Sequence, residues 1–379
     1  MAEKTNSHSW FGRLKGSTAE LNERLAEDAK QREAEGKRKG SIILNANDIL
    51  TGNWDASKVL FTTLGGKARP ITAEDLKKFK QNIKTAQSKF TKGITAQQVI
   101  DWSTGVIDVG TKHAKSEIKS DLDRAKSEIK MAVPVGAMKG RVRFITNAGP
   151  DSKVFRHQVI VEFMNYSAEA ASGAIDPRKS ALRLRKGPLK IECDCERWRY
   201  WFRYIATIGG YNAGRAETGF PKIKNPKLQN IACKHIVRVM SEVNSGGSTL
   251  TYLINLMKKA KSSDTLHAEL RQTQKNAGKL LQNQAKRTSG HDIKTSKEKS
   301  AARKSKQKLA EEIIKTRKPH AKPKPRSKTK TENVAELMVR EGVPRTAVEA
   351  MFIMRGVSLS RGTTKEAFLK AFDEAVARK

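Results

Sequence analysis

The chain has 379 residues, 75 Lys plus Arg against 39 Asp plus Glu, and a formal net charge of +36. Such an excess attracts polyanions over long range, so the partner expected is nucleic acid, an anionic membrane or an acidic protein; an enzyme of neutral metabolites has no need of it. With 37% hydrophobic and 6% aromatic residues, a core is expected over part of the length, in two or three ordered units joined by linkers rather than one compact domain.

No apolar run reaches the length of a membrane span, and the N-terminus, MAEKTNSHSWFGRLKG, lacks the apolar centre of a secretory signal. A soluble chain with no membrane partner is expected. Residues 17–38 favour helix without an apolar stripe and read as a solvated arm, within an arm spanning 1–40. A helical region over 41–135 follows. Ile71-Thr72 with Asp75, and Ile94-Thr95 with Gln98, share one start signal, a capping box behind an apolar residue, so both predict helix starts. AKSEIK then recurs at 114–119 and 125–130, which aligns Ile118, Leu122, Ala125 and Ile129 and predicts one long amphipathic helix.

From Met138 the apolar period changes from 3.6 to 2. Arg141–Ile145 and the alternating Phe155, His157, Val159, Val161 and Phe163 predict a β-hairpin around Asn147-Ala148-Gly149-Pro150-Asp151, with His157 read as a core histidine. Ala181-Leu182-Arg183-Leu184-Arg185 alternates again and predicts a third strand, and Leu189–Cys195 a fourth. Beyond residue 256, positions 258–330 hold 23 Lys or Arg and 6 Asp or Glu, a net +17, and end in the Lys/Pro stretch 318–326. A long, mostly disordered basic linker over 256–331 is expected, then a small domain of about three helices over 332–379, broken near Gly342-Val343-Pro344 and Gly362-Thr363-Thr364. Its apolar anchors are Leu337, Val348, Phe352, Phe368, Leu369 and Phe372. The fold class expected is α+β.

All three cysteines lie between 193 and 233, an odd number that builds no disulfide framework. Cys193-x-Cys195, a gap of 37 residues and Cys233-x-His235 supply two close donor pairs, the set tetrahedral Zn²⁺ requires. One structural zinc ion is therefore expected. Residues i and i+2 of a strand point to one side, so Cys193 and Cys195 reach one ion. Cys233 opens an apolar helix whose first N–H groups favour thiolate.

This Cys-x-Cys…Cys-x-His pattern resembles the SWIM-type zinc finger, a ββα module of nucleic-acid- or protein-binding proteins, over about 190–245, within a β and zinc region spanning 136–255. The gap exceeds that of compact members, so Gly209 to Pro226 is expected to be an inserted loop. Between the pairs, Arg197-Trp198-Arg199-Tyr200-Trp201-Phe202-Arg203-Tyr204 interleaves cations with aromatics, with aromatics expected inward and arginines outward, toward phosphates. Arg215, Lys222, Lys224, Lys304, Lys306, Lys322, Lys324 and Arg326 are further candidate nucleic-acid contacts.

More broadly, the string from Cys193 through CERWRYWFRY to GFPKIKNPKLQNIACKHIVRVM, with the β region before it and the Lys-rich tail after it, is similar to virion structural proteins of tailed double-stranded DNA bacteriophages. The resemblance implies a capsid-internal or head–tail component, in the virion and, during assembly, in the host cytoplasm. Its partners would be other virion proteins and DNA bound without sequence preference. The alternative is a SWIM-finger regulatory or recombination protein that binds DNA. Neither needs a small-molecule substrate. No GxxxxGK[ST], GxSxG, HExxH or GxGxxG motif occurs, and the four-ligand zinc set is of the closed, structural kind, so no enzymatic activity is expected.

Overall fold

The computed structural model describes residues 43–52, 60–90, 93–107, 119–150, 152, 154–172, 175–262, 268–286, 293–316, 329–355 and 364–378, with Ala26 and Lys30. The solvated arm, the first AKSEIK repeat up to 118, and the Lys/Pro stretch 318–326 lie outside these residues, Ala26 and Lys30 apart. The chain divides into two units, Met1–Arg303 and Lys304–Lys379. It is α+β, as expected.

The first unit opens with α1 (Ala46–Thr51), the short antiparallel pair β1 (Phe61–Thr62) and β2 (Arg69–Pro70), then α2 (Ala73–Ser88) and α3 (Ala96–Asp101). Both capping boxes form. Thr72 accepts from the Asp75 N–H and Thr95 from the Gln98 N–H, while each partner side chain accepts from the cap N–H at 2.9 Å. The expected long helix is instead α4 (Asp121–Glu128) among the described residues. Ser120 and Asp123 make a further capping box that starts the helix there, with Leu122 and Ala125 still on its buried stripe.

A five-stranded antiparallel sheet follows, in the order β6-β5-β4-β3-β7. It comprises β3 (Ala132–Met138), β4 (Arg141–Asn147), β5 (Arg156–Phe163), β6 (Leu189–Cys193) and β7 (Glu269–Arg271). The expected hairpin is β4–β5, with Val159, Val161 and Phe163 buried and Phe155, outside the strand, 84% exposed. The alternating segment Ala181–Arg185 is no strand. It lies inside α6 (Pro177–Lys186), which follows α5 (Tyr166–Ala171); the Asp176 side chain caps α6 and Pro177 occupies its first position, where its fixed φ and missing N–H cost nothing. Ser180, Ala181, Leu184 and Arg185 form the inner face at helical spacing.

A π turn (Trp198–Phe202) leads into α7 (Arg203–Ile208), and α8 (Lys234–Ser245) and α9 (Gly247–Lys261) follow. Helix α8 is the hub: every residue from Lys234 to Val243 is buried, and it packs against α3, α4, α6, α9 and strands β3 to β6. Residues 268–286, expected within the basic linker, are folded. Strand β7 pairs with β3, and α10 (Gln274–Ala285) buries Ala277, Leu281 and Gln284 against the same strand. The Gln284 amide accepts from the Ala132 N–H (2.8 Å) and donates to the Ala132 carbonyl (3.3 Å), doing for β3 what a neighbouring strand would do.

Helix α11 (Ser296–Thr316) carries exposed residues through Glu312. The second unit contains α12 (Lys330–Arg340), α13 (Arg345–Arg355) and α14 (Lys365–Val376) around Ala335, Val339, Val348, Phe368, Phe372 and Ala375. Gly342, at φ 74°, makes the expected break between the first two helices. Of the expected anchors, Leu337 is half exposed; the Phe352 side chain and Gly362 and Thr363 lie outside the described residues.

Because Gln284 satisfies both backbone groups of a buried residue, Gln284→Ala is expected to lower the stability of the first unit by about 1–3 kcal/mol. Urea unfolding measures this; an unchanged midpoint would mean that α10 is not docked.

Candidate metal centre

Cys193 ends β6 opposite Val159, and the Asp194 N–H extends the ladder to the Gln158 carbonyl (3.2 Å). The chain then turns into helix: the Cys195 carbonyl accepts from the Arg199 N–H and its Sγ from the Trp198 N–H (3.3 Å). Cys233 is the N-cap of α8, with extended φ and ψ of −80° and 162°, and His235 sits in the first turn. The donor atoms of Cys193, Cys195, Cys233 and His235 all lie within 4.8 Å of one another, and all four residues are buried. Ligands around a tetrahedral ion at metal–sulfur distances near 2.3 Å stand about 3.8 Å apart, so the cluster is the right size for one ion.

Two further observations fit a metal. Both ring nitrogens of His235 are buried without a hydrogen-bond partner, and a buried imidazole in that state is costly unless a ligand takes one nitrogen. Burial, with His157 and Lys234 nearby, lowers the His235 pKa and favours the neutral ring that ligates. Burial would raise the Cys233 thiol, but the neighbouring sulfurs of Cys193 and Cys195 and the Ile236 N–H reverse this and hold it well below the ordinary thiol range. Burial, with Cys195 and Cys233 beside it, pushes Cys193 well above that range. Three sulfurs and one imidazole suit a soft or borderline divalent ion, and four protein donors close its shell, an arrangement compatible with a zinc finger.

His157 stays outside the four-donor set. Its Nδ1 pairs with Asp194 Oδ1 at 2.7 Å, and its ring packs against His235 with centroids 4.2 Å apart. The 37-residue gap is an ordered insertion: Ala213 donates to Ile191 and Ile191 to Tyr211, laying 211–213 along β6, and Asn225 donates to the Trp201 and Gln229 carbonyls. A Cβ at Gly214 would fall 1.6 Å from the Glu192 carboxylate, which explains glycine there.

The arginine–aromatic run departs from expectation. Trp198, Trp201, Phe202 and Tyr204 are buried as expected, whereas Tyr200 is exposed. Arg203 is also buried, its guanidinium 2.6 Å from Glu192, and Arg197 grips the fully buried Asp121 through two bonds (2.8 and 2.9 Å) while lying 4.1 Å over the Trp201 ring. The arginines do not all face outward, because buried carboxylates beside the metal cluster need cationic partners. Arg199 is half buried. Arg215 is exposed, 4.0 Å from Glu217; Lys222 is half buried and its pKa lowered by burial; Lys224 is exposed. Lys304 and Lys306 are exposed on α11, and Lys322, Lys324 and Arg326 lie outside the described residues. The strand-like alternation of 181–185 conceals α6 and its exposed Arg178, Lys179, Arg183 and Lys186. The Asp176-Pro177 start signal could have revealed them.

Among the described residues no helix is long and apolar enough to cross a membrane. No protein-family model, curated protein or solved structure matches the chain.

Cys233→Ser is expected to abolish stoichiometric metal, and His157→Ala to retain one ion per chain; elemental analysis of purified protein reads both. Arg203→Ala, which strands Glu192 in the interior, should cost about 3–5 kcal/mol of stability, while Lys224→Ala should stay within about 0.5 kcal/mol, as chemical denaturation will show.

Proposed function

We propose that the protein is a non-enzymatic structural component of a bacteriophage particle, in which a SWIM-like zinc centre holds the fold and the basic exterior contacts double-stranded DNA without sequence preference. The observation that carries this reading is the complete burial of a closed four-donor set. Zinc held that way presents no open position to a substrate and acts as a staple, which leaves function to the surface. The chain's formal net charge is +36. On α11, Arg303, Lys304, Lys306 and Lys308 are all exposed with no acidic residue between them in sequence. Cations without a fixed geometric partner suit phosphates through charge alone, giving affinity that falls steeply with salt. The setting in the particle is what the resemblance of the cysteine–aromatic string to virion proteins implies.

Binding to unrelated duplexes should be equal and should weaken linearly on a log–log salt plot. Replacing Lys304, Lys306 and Lys308 together with Ala should lower the slope by about 2–3, with zinc content unchanged. A preferred sequence that survives excess bulk DNA, with no protein found by mass spectrometry in purified particles, would point instead to a SWIM-finger regulator.

A further inference from the structure

Helix α6 is amphipathic in an unusual sense. Its inner face, Ser180, Ala181, Leu184 and Arg185, is buried, and α6 packs against α8 and α9; the Arg185 side chain donates to the Val243 carbonyl. Its outer face exposes Arg178, Lys179, Arg183 and Lys186, with Leu182 the apolar residue among them. The C-terminal turn of α9, with exposed Lys258 and Lys259, is fastened beside the start of α6, because Lys261 Nζ donates to the Ser172 and Ile175 carbonyls (2.8 Å for the latter). The acidic residues nearby are the cap Asp176 and Glu169, which lies 3.7 Å from an Arg183 guanidinium that stays 58% exposed. Four cations thus share the outer face of α6, with two more exposed on the neighbouring end of α9 and two carboxylates nearby.

We propose that this face, α6 with the end of α9, docks on the phosphate backbone of duplex DNA, a surface that rests on the DNA-binding reading above and extends it. Arg178 and Lys186 stand about 12 Å apart along the helix, and Lys179 and Arg183 about 6 Å. Each strand of duplex DNA carries a charge about every 3.4 Å of the axis, so a segment of that length offers about three or four phosphates of the near strand to four side chains. Two of the four are arginines, whose forks fit phosphate oxygens two at a time. The exposed side chains of this face are four cations and one leucine, a set that suits contact with phosphates through charge.

The test uses the full chain and a random-sequence duplex, with affinity read by fluorescence anisotropy across a salt series. Replacing Arg178, Lys179, Arg183 and Lys186 together with Ala should weaken binding at low salt at least about tenfold and lower the salt slope by about 3–4. Arg178→Lys with Arg183→Lys should preserve the slope, and zinc content and circular dichroism confirm that each variant is folded. A folded, zinc-loaded quadruple variant with the parental slope overturns this surface and leaves the DNA-binding reading standing; absence of binding by the parent overturns both. Binding of polyglutamate that the quadruple variant loses, while both proteins bind the duplex equally, would assign the face to an acidic protein and also overturn it.

Discussion

Four donors from two segments separated by 37 residues must converge on one point inside the protein, and much of the first unit is arranged so that they can. One pair hangs from the end of β6, held in register by β5. The other pair starts α8, which is buried along nearly its whole length between the sheet and α3, α4, α6 and α9. A helix whose first turn is tied to the end of a strand is fixed at that end in position and rotation. Fixing it there sets the seat of every element that packs on it. In the unfolded chain the two pairs are far apart, so the free energy of metal binding is largely folding free energy.

Around that point the interior of a very basic chain is electrically balanced. Asp121 takes Arg197, Glu192 takes Arg203 and Glu242 takes Arg238, each pair buried or nearly so, and Glu128 takes Lys234 at the first residue of α8. Buried ions need partners because desolvation otherwise costs several kcal/mol each. These pairs contribute nothing to the net charge. The excess of cations is therefore carried outside them, on helices such as α6 and α11.

The parts of this arrangement that were legible in the sequence are those written in short-range signals. Thr72 and Thr95 announce their helices because a capping box needs only four consecutive residues, and the cysteine pairs announce a metal because their spacing is itself the chemistry. Ser120 carries the same box and cuts the expected long helix, a signal overridden in reading by the AKSEIK repeat. Ala181–Arg185 reads as a strand because five residues of apolar–basic alternation satisfy one while two of them, Ala181 and Leu184, also satisfy a helix face; only Asp176-Pro177 upstream separates the two. The partners of Arg197 and Arg203 lie 76 and 11 residues away in sequence, and no local pattern encodes such pairing. Residues 268–286 look like solvated linker because their contribution to the core is three side chains and a glutamine that imitates a strand.

The metal centre and the basic surface of α6 are mechanically connected. Cys233 and His235 hold the first turn of α8, while the last turn of the same helix carries the Val243 carbonyl that receives Arg185 from the underside of α6. Arg185 lies buried in the same interior as the Arg238–Glu242 pair, and the Glu242 charge counteracts the lowering of its pKa by burial. A helix of 12 residues thus runs from the four-donor cluster to the seat of α6. The cations of α6 are held at fixed spacing because the inner face of that helix has a fixed surface to pack on, and that surface is in register because the first turn of α8 is anchored. In this chain the four-donor cluster therefore sets the geometry of the α6 surface without being part of it.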